Sequence, residues 1–181
     1  MYAYFITLIY LILPMIPAGA LFLSFAKLPI LPILGTPINE KLFGKNKTYR
    51  GFVLLPLFVG IFISLMSLLE PLFGGALLYR YSSTNPMLFG IILGLAFAVS
   101  ELPNSYFKRK LGIPPGKQPE KHKVLFIFLD SFDAAPLVIL LYWLFFHVTC
   151  SFVVFAIALA ILIKIGMNNL LFLLGIRKNR F

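Results

Sequence analysis

The sequence is poor in the residues that build disulfides, redox centres and water-exposed catalytic surfaces. Among its 181 residues there is a single cysteine, Cys150, which excludes an internal disulfide and a cysteine-rich metal site. Only 12% of the residues are charged, whereas 60% are hydrophobic. The spacings HExxH, GxSxG and G-x-x-x-x-G-K-[ST] are absent, so the usual hydrolase and P-loop signatures are missing. This composition is too apolar for a soluble domain, and lipid must be the solvent for most of the chain.

Long apolar runs are what the sequence does have. A bilayer core of roughly 30 Å needs about 20 helical residues to cross it. We therefore predict an all-α integral membrane protein, a single transmembrane domain over residues 1–181. Its five predicted spans cover residues 4–26, 52–73, 87–102, 124–147 and 151–174. Pro14 and Pro17 should kink the first span, and Gly90 and Gly94 are spaced for close helix contact in the third.

The basic residues are distributed unevenly between the predicted loops. The chain has 16 Lys and Arg against six Asp and Glu, a formal net charge of +10. Fourteen of the 16 lie in residues 27–51, in residues 103–123 or in the C-terminal tail. Because cytoplasmic loops carry such an excess, we expect both loops and the C-terminus to face the cytoplasm, with the N-terminus outside. The positive charge is then explained by membrane orientation, and no nucleic-acid partner is expected.

Two carboxylates lie inside the fourth predicted span. Asp130 and Asp133 are three residues apart, so a helix would point both the same way. An acidic group in a span costs about 2.5 to 3.5 kcal/mol, and a cation or a basic partner would offset that cost. A hard cation such as Mg²⁺ suits paired oxygen ligands, and Glu101 at the end of the third span could complete the site. Pairing with Lys or Arg of the loops is the alternative.

The first basic loop ends in the run F-G-K-N-K-T-Y-R-G, residues 43–51. Lys47, Thr48 and Arg50 offer a point charge, a hydroxyl and a planar guanidinium, which are the groups that a polyphosphate binds. Asn46 and Gly51 belong to the same candidate nucleotide-binding run. A simple basic anchor for lipid headgroups is the alternative interpretation.

The second basic loop begins with the run E-L-P-N-S-Y-F-K-R-K-L-G-I-P-P-G. Its amide, hydroxyl and cationic side chains also suit phosphate binding, at Asn104, Ser105, Lys108 and Arg109. The same lipid-anchor alternative holds here. Glu70, by contrast, is expected to be an interfacial or inter-helix polar contact rather than a catalytic group.

Taken in order, these motifs resemble the CDP-archaeol synthase family, small membrane cytidylyltransferases related to the CDP-diacylglycerol synthases. The resemblance rests on P-I-N followed by F-G-K-N-K-T-Y-R-G, on the run that begins at Glu101, and on L-D-S-F-D, residues 129–133. It departs from the family at Glu101 and Asn39, where the family usually has aspartate.

The resemblance implies a Mg²⁺-dependent reaction of CTP with an anionic lipid phosphate, of the archaeal ether type or phosphatidic acid. The products would be a CDP-activated lipid for phospholipid synthesis and pyrophosphate. The catalytic groups implied are Asp130, Asp133, Lys47, Arg50, Lys108 and Arg109, with Asp130, Asp133 and Glu101 as metal ligands. The site would lie on the cytoplasmic side of the cell membrane. Whether the protein forms a homodimer is left open.

A different class of function also fits a span with two carboxylates. A small transporter or assembly factor could use them as an ion relay, since acidic residues inside spans mark such pathways too. The position of the polar groups distinguishes the two. A transport pathway should cross the middle of the membrane, whereas these groups are predicted to gather at one surface.

Overall fold

The computed structural model describes residues 1–27, 32–114, 133–159 and 162, and within them the chain is helical. The seven α-helices described are α1 (Tyr2–Ile12), α2 (Met15–Lys27), α3 (Glu40–Phe43), α4 (Tyr49–Leu68), α5 (Pro86–Lys110), α6 (Ala135–Phe146) and α7 (Cys150–Leu159). Short 3-10 turns lie at Pro32–Gly35, Glu70–Phe73 and Tyr81–Ser83. The described residues contain no β-strand beyond one isolated antiparallel bridge. The all-α prediction is therefore confirmed for this part of the chain.

Three described stretches are long and apolar enough to cross a membrane, namely Tyr2–Ala26, Tyr49–Leu68 and Pro86–Lys110. The first consists of α1 and α2, which are separated at Leu13 and Pro14. A proline lacks the backbone N–H that a helix interior needs, so the break falls where a kink was predicted. The helices α6 and α7 are apolar but shorter. The count of five spans stays a prediction, because much of the last two predicted spans lies outside the described residues.

The helix of the third predicted span is longer than the span itself, because residues 103–110, which were assigned to a cytoplasmic loop, are helical. Helix α5 continues to Lys110 and includes Pro103. Hydropathy falls at the end of the apolar run, but backbone hydrogen bonding does not depend on hydropathy. The basic residues of the last turn, among them Lys108, also suit the negative end of the helix dipole. The helix ends only before Gly112, whose φ is +71°.

Helices α4 and α5 approach each other closely at glycines. A Cβ atom placed on Gly90 would lie less than 3.0 Å from backbone atoms of Gly60. One placed on Gly94 would meet the backbone of Pro56 in the same way. The predicted small-residue contact at Gly90 and Gly94 is therefore confirmed, and it brings the α4 and α5 backbones together without intervening side chains.

A buried polar network closes the end of the bundle opposite the basic loops. Glu70 is 3% exposed and accepts hydrogen bonds from the Tyr10 hydroxyl at 2.5 Å and the Ser82 backbone N–H at 3.0 Å. The Ser82 hydroxyl donates to the same carboxylate. Burial raises the pKa of Glu70, but the hydrogen bonds from Ser82 and Tyr10 outweigh it, and the pKa lies below its ordinary value. Glu70 is thus an inter-element polar contact, as expected.

Candidate active site

The first basic segment is held in place by a short antiparallel pairing that the sequence did not reveal. The Ile38 N–H donates to the Lys47 carbonyl at 2.9 Å, and the Tyr49 N–H donates to the Thr36 carbonyl at 3.2 Å. Pro37 and Thr48 form the bridge between these bonds. The pairing closes the segment on itself immediately before α4. It therefore fixes the direction in which Lys47 leaves the backbone.

Helix α3 occupies the closed segment between the paired ends. Asn39 is its N-cap, and the Asn39 side-chain oxygen accepts from the Leu42 N–H at 3.0 Å. Gly44 ends the helix with φ of 84°, a conformation that favours glycine. Asparagine and aspartate cap helices about equally well, so an aspartate at position 39 would form the same local structure.

Six polar residues from three separate segments line one cavity of about 220 Å³. They are Lys47, Glu101, Asn104, Ser105, Lys108 and Asp133. All six were candidate site residues in the sequence. Four of them lie on α5, and their spacing of three, four and seven residues from Glu101 places them on a single face of that helix. The residues expected to form a loop thus reach the site because they are helical, and their helical spacing could have been recognised in the sequence.

Among the described residues, two direct contacts join the three segments within the cavity. The Lys47 ammonium pairs with the Glu101 carboxylate, and the Asn104 amide donates to Asp133 at 3.3 Å. The Lys47 and Glu101 side chains are 24% and 51% exposed. This pair is open to water, and its contribution to stability is correspondingly small. The cavity combines two ammonium groups, two carboxylates, an amide and a hydroxyl.

Arg50 does not line the cavity. It is 8% exposed, and its Nη1 atom donates to the Ala26 carbonyl at the end of α2 at 2.7 Å. A Cβ atom on Gly35 would lie 3.2 Å from Arg50 Nη2, so the turn before α3 is packed against the same guanidinium. Arg50 joins α2, this turn and the first turn of α4. These contacts indicate that Arg50 orients the segment that carries Lys47.

Arg109 and three further residues of the first basic run also lie outside the polar cavity. The Arg109 guanidinium donates to the Ile113 carbonyl and so caps the end of α5. Thr48 is the N-cap of α4, Asn46 is exposed, and Gly51 lies in the first turn of α4 beside Phe22. None of these four lines the polar cavity.

The predicted metal site can be located only in part. Asp130 lies outside the described residues. Within the described ones, no group of three His, Cys, Asp or Glu side chains is placed to hold a metal ion. Two of the three predicted ligands, Glu101 and Asp133, do line the same cavity.

A comparison with protein-family models matches residues 1–181, the whole chain, to the CarS-like model of CDP-archaeol synthase. The chain belongs to the CDP-archaeol synthase family. Members of this family are cytidylyltransferases that act on a lipid phosphate, and the apolar helices agree with a membrane protein of lipid synthesis. A comparison with curated proteins found no match, and neither did one with solved structures.

Proposed function

We propose that this protein transfers CMP from CTP to a membrane lipid phosphate, in a Mg²⁺-dependent reaction that yields a CDP-activated lipid and pyrophosphate. The lipid is an archaeal-type ether lipid phosphate or phosphatidic acid. One observation carries the proposal beyond family membership. The six polar residues of the cavity come from three distant parts of the sequence, and every one lies in a run that carries the resemblance to the family.

The charges around the cavity suit two phosphorylated substrates. Lys47 comes from the segment before α4, and Lys108 comes from the last turn of α5. Two cations on different elements can contact different phosphate groups of one polyphosphate chain, or a nucleotide phosphate and a lipid phosphate together. Asn104 and Ser105 add neutral donors between them.

The donor set of the cavity fits a magnesium ion. Glu101 and Asp133 supply carboxylate oxygens, and Asn104 and Ser105 supply an amide and a hydroxyl oxygen. Hard oxygen ligands of this kind, completed by substrate phosphates, are what Mg²⁺ prefers. Asp130, three residues before Asp133, is the third proposed ligand. When bound, the ion would offset negative charge on the phosphate oxygens of the substrate.

The chemical step needs no covalent intermediate with the protein. A lipid phosphate oxygen attacks the α-phosphorus of CTP and forms a new P–O bond, while the bond between the α-phosphorus and the bridging oxygen breaks and pyrophosphate leaves with that electron pair. Lys47 and Lys108 stabilise the charge on the phosphate oxygens, and Asn104 and Ser105 orient them. Positioning and charge compensation are sufficient for a phosphoryl transfer of this type.

The same cavity is the place where a water-soluble and a membrane-bound substrate can meet. We propose that it opens on the cytoplasmic side, since Lys27, Lys41, Lys45 and Lys110 lie in the same basic segments that supply Lys47 and Lys108. CTP would enter from water, and the lipid phosphate would be presented from the cytoplasmic leaflet.

Pyrophosphate release by the purified protein in detergent tests the proposal. Each nucleoside triphosphate is supplied with either lipid phosphate, with Mg²⁺ or with EDTA. Turnover that requires CTP, lipid phosphate and Mg²⁺ is expected. Lys47→Gln should lower kcat by about a hundredfold, the cost of losing one charge-stabilising group. The matched control is Lys45→Gln, an exposed lysine of the same segment that does not line the cavity.

Two outcomes would contradict the proposal. Full activity of Lys47→Gln would show that the cavity does not take part in the reaction. Folded protein that releases no pyrophosphate with any pair of substrates would leave the ion-relay alternative, in which Asp133→Asn would abolish ion flux in vesicles. Family membership favours the enzyme.

A further inference from the structure

The last turns of α5 present a second face, opposite to the face that lines the polar cavity. Its four members are spaced by three and four residues, as one side of a helix requires, and all are exposed; they are Pro103, Tyr106, Phe107 and Lys110. The Tyr106 and Phe107 rings contact each other, with 5.9 Å between their centroids. At 3.6 residues per turn, this side points about 160° away from the four cavity residues of α5. We call it the aromatic face.

The aromatic face continues the lipid-facing side of α5. Earlier on the same side of the helix, Leu88, Leu95 and Val99 are 53%, 37% and 43% exposed. They belong to a stretch that is long and apolar enough to cross a membrane, so these exposed side chains contact hydrocarbon. Val99 and Pro103 are four residues apart and therefore neighbours on the helix surface. The lipid that surrounds α5 thus reaches the aromatic face without interruption.

The length of α5 places the aromatic face beyond the hydrocarbon core. Its 25 residues span about 37 Å, whereas the core measures about 30 Å. The excess of about 7 Å is close to the thickness of one headgroup layer, because core and headgroups together measure about 40 to 45 Å. The excess falls at the C-terminal end, since the last turn is basic whereas the first turn contains Leu88.

The side chains of the aromatic face suit a headgroup layer. In water, Phe107 and the neighbouring Leu111 would form an apolar patch, as they are 58% and 64% exposed. A tyrosine such as Tyr106 has an apolar ring and a polar hydroxyl, and such residues are enriched where lipid meets water. Lys110 can extend its charge to the surface, where the anionic lipids of the cytoplasmic leaflet attract it.

We propose that the aromatic face of α5 is a binding surface for the headgroup layer of the cytoplasmic leaflet, with anionic phospholipid headgroups held at Lys110. This contact does not depend on the reaction. One consequence rests on the proposed function. Because the polar cavity lies on the opposite side of the same turns, the aromatic face holds the cavity at the depth of the lipid phosphates.

The single tryptophan of the chain, Trp143, makes this depth measurable. In the double variant Trp143→Phe/Phe107→Trp, the only indole lies on the aromatic face. The full chain is reconstituted in vesicles of phosphatidylcholine and phosphatidylglycerol in equal parts. A nitroxide near the headgroup of phosphatidylcholine should quench the indole more strongly than a nitroxide at the end of an acyl chain. The control Trp143→Phe/Leu95→Trp should show the reverse order.

Two results of this experiment would overturn the proposal. Quenching at position 107 by iodide in the water, but by neither nitroxide, would place the aromatic face in the aqueous phase. Protection from iodide and from both nitroxides would show that protein covers the face, either a second copy of this chain or other residues of the same one.

The charge of Lys110 gives a second test with the same indole at position 107. Phosphatidylglycerol with the nitroxide near its headgroup should be enriched about fivefold there over phosphatidylcholine, the preference that one lysine at a membrane surface supplies. Addition of Lys110→Gln should remove most of this enrichment. Lys45→Gln, an exposed lysine of the other basic segment, is the control and should leave it unchanged. Equal losses in both variants would contradict a headgroup site at Lys110.

Turnover tests the consequence for the lipid phosphate separately. Tyr106→Ala/Phe107→Ala should raise the KM for the lipid phosphate in vesicles severalfold and leave the KM for CTP unchanged. Leu88→Ala, on the same side at the other end of α5, should change neither. An active double variant with an unchanged KM would reject the role in setting depth. Headgroup quenching in a protein that never releases pyrophosphate would keep the binding surface and reject the reaction.

Discussion

The Lys47 ammonium is paired with the Glu101 carboxylate, although the two residues lie 54 positions apart in the sequence. The pair joins the segment before α4 to the face of α5 that lines the polar cavity. It also means that a proposed phosphate ligand and a proposed metal ligand neutralise each other when no substrate is bound. A nucleotide that enters the cavity has to replace Glu101 as the partner of Lys47.

The Glu101→Gln substitution should therefore have opposite effects on binding and on turnover. Without Mg²⁺, CTP should bind about two- to fivefold more tightly, because the exposed pair that must be broken is worth less than about 1 kcal/mol. With Mg²⁺, turnover should fall, since a proposed metal ligand is lost. Equilibrium binding of CTP in EDTA measures the first effect. Glu40→Gln, an exposed carboxylate of α3, is the control, and weaker CTP binding by Glu101→Gln in EDTA would contradict the exchange.

The contact between α4 and α5 should not tolerate a methyl group at Gly94. In Gly94→Ala the new Cβ would collide with the Pro56 backbone, and overpacking of this kind costs about 1 to 3 kcal/mol. Thermal unfolding in detergent should show a lower Tm. Gly19→Ala is the matched control within α2, because its Cβ would meet no atom within 4 Å. Equal Tm values for the two variants would show that the helices are further apart.

Acid should weaken the buried network at Glu70. Because the pKa of Glu70 is lowered in the folded protein, its stabilising effect is present above the pKa of the unfolded chain, about 4.3, and is lost as the pH falls through the folded value. The Tm of the wild type should decrease over that acidic range. Glu70→Gln should have a lower Tm at neutral pH and a flatter dependence on pH. If the Tm of the wild type and the Tm of Glu70→Gln changed in parallel with pH, this stabilising role of Glu70 would be excluded.

Replacement of Asn39 by aspartate should be neutral for stability. Asn39→Asp retains an oxygen that can accept from the Leu42 N–H, so the Tm should change little. Asn39→Ala removes the cap and should cost about 1 kcal/mol. Comparison of both variants by thermal unfolding checks the cap, and comparison of their CTP affinities shows whether the added charge also reaches the nucleotide. A destabilised Asn39→Asp would mean that the amide donates as well as accepts.

Several features of the molecule could be predicted from single residues or short runs. The kink at Pro14, the close contact at Gly90 and Gly94 and the all-α architecture of the described part follow from local chemistry. A proline removes one hydrogen bond wherever it lies in a helix, and a glycine leaves room for a neighbouring backbone. The end of α5 could not be predicted from a short run of residues, because hydropathy indicates where lipid ends and not where the helix ends.

The sequence alone determined that the chain belongs in a membrane and which residue types form the candidate site, since hydropathy and side-chain chemistry are properties of the residues themselves. Only the tertiary structure decided which cations line the cavity. Lys47 and Lys108 do, whereas Arg50 is bonded to the Ala26 carbonyl and Arg109 to the Ile113 carbonyl. All four lie in basic runs that look alike in sequence. Their directions depend on the register of α5 and on a hydrogen bond between distant segments, and neither is encoded by any short run of residues.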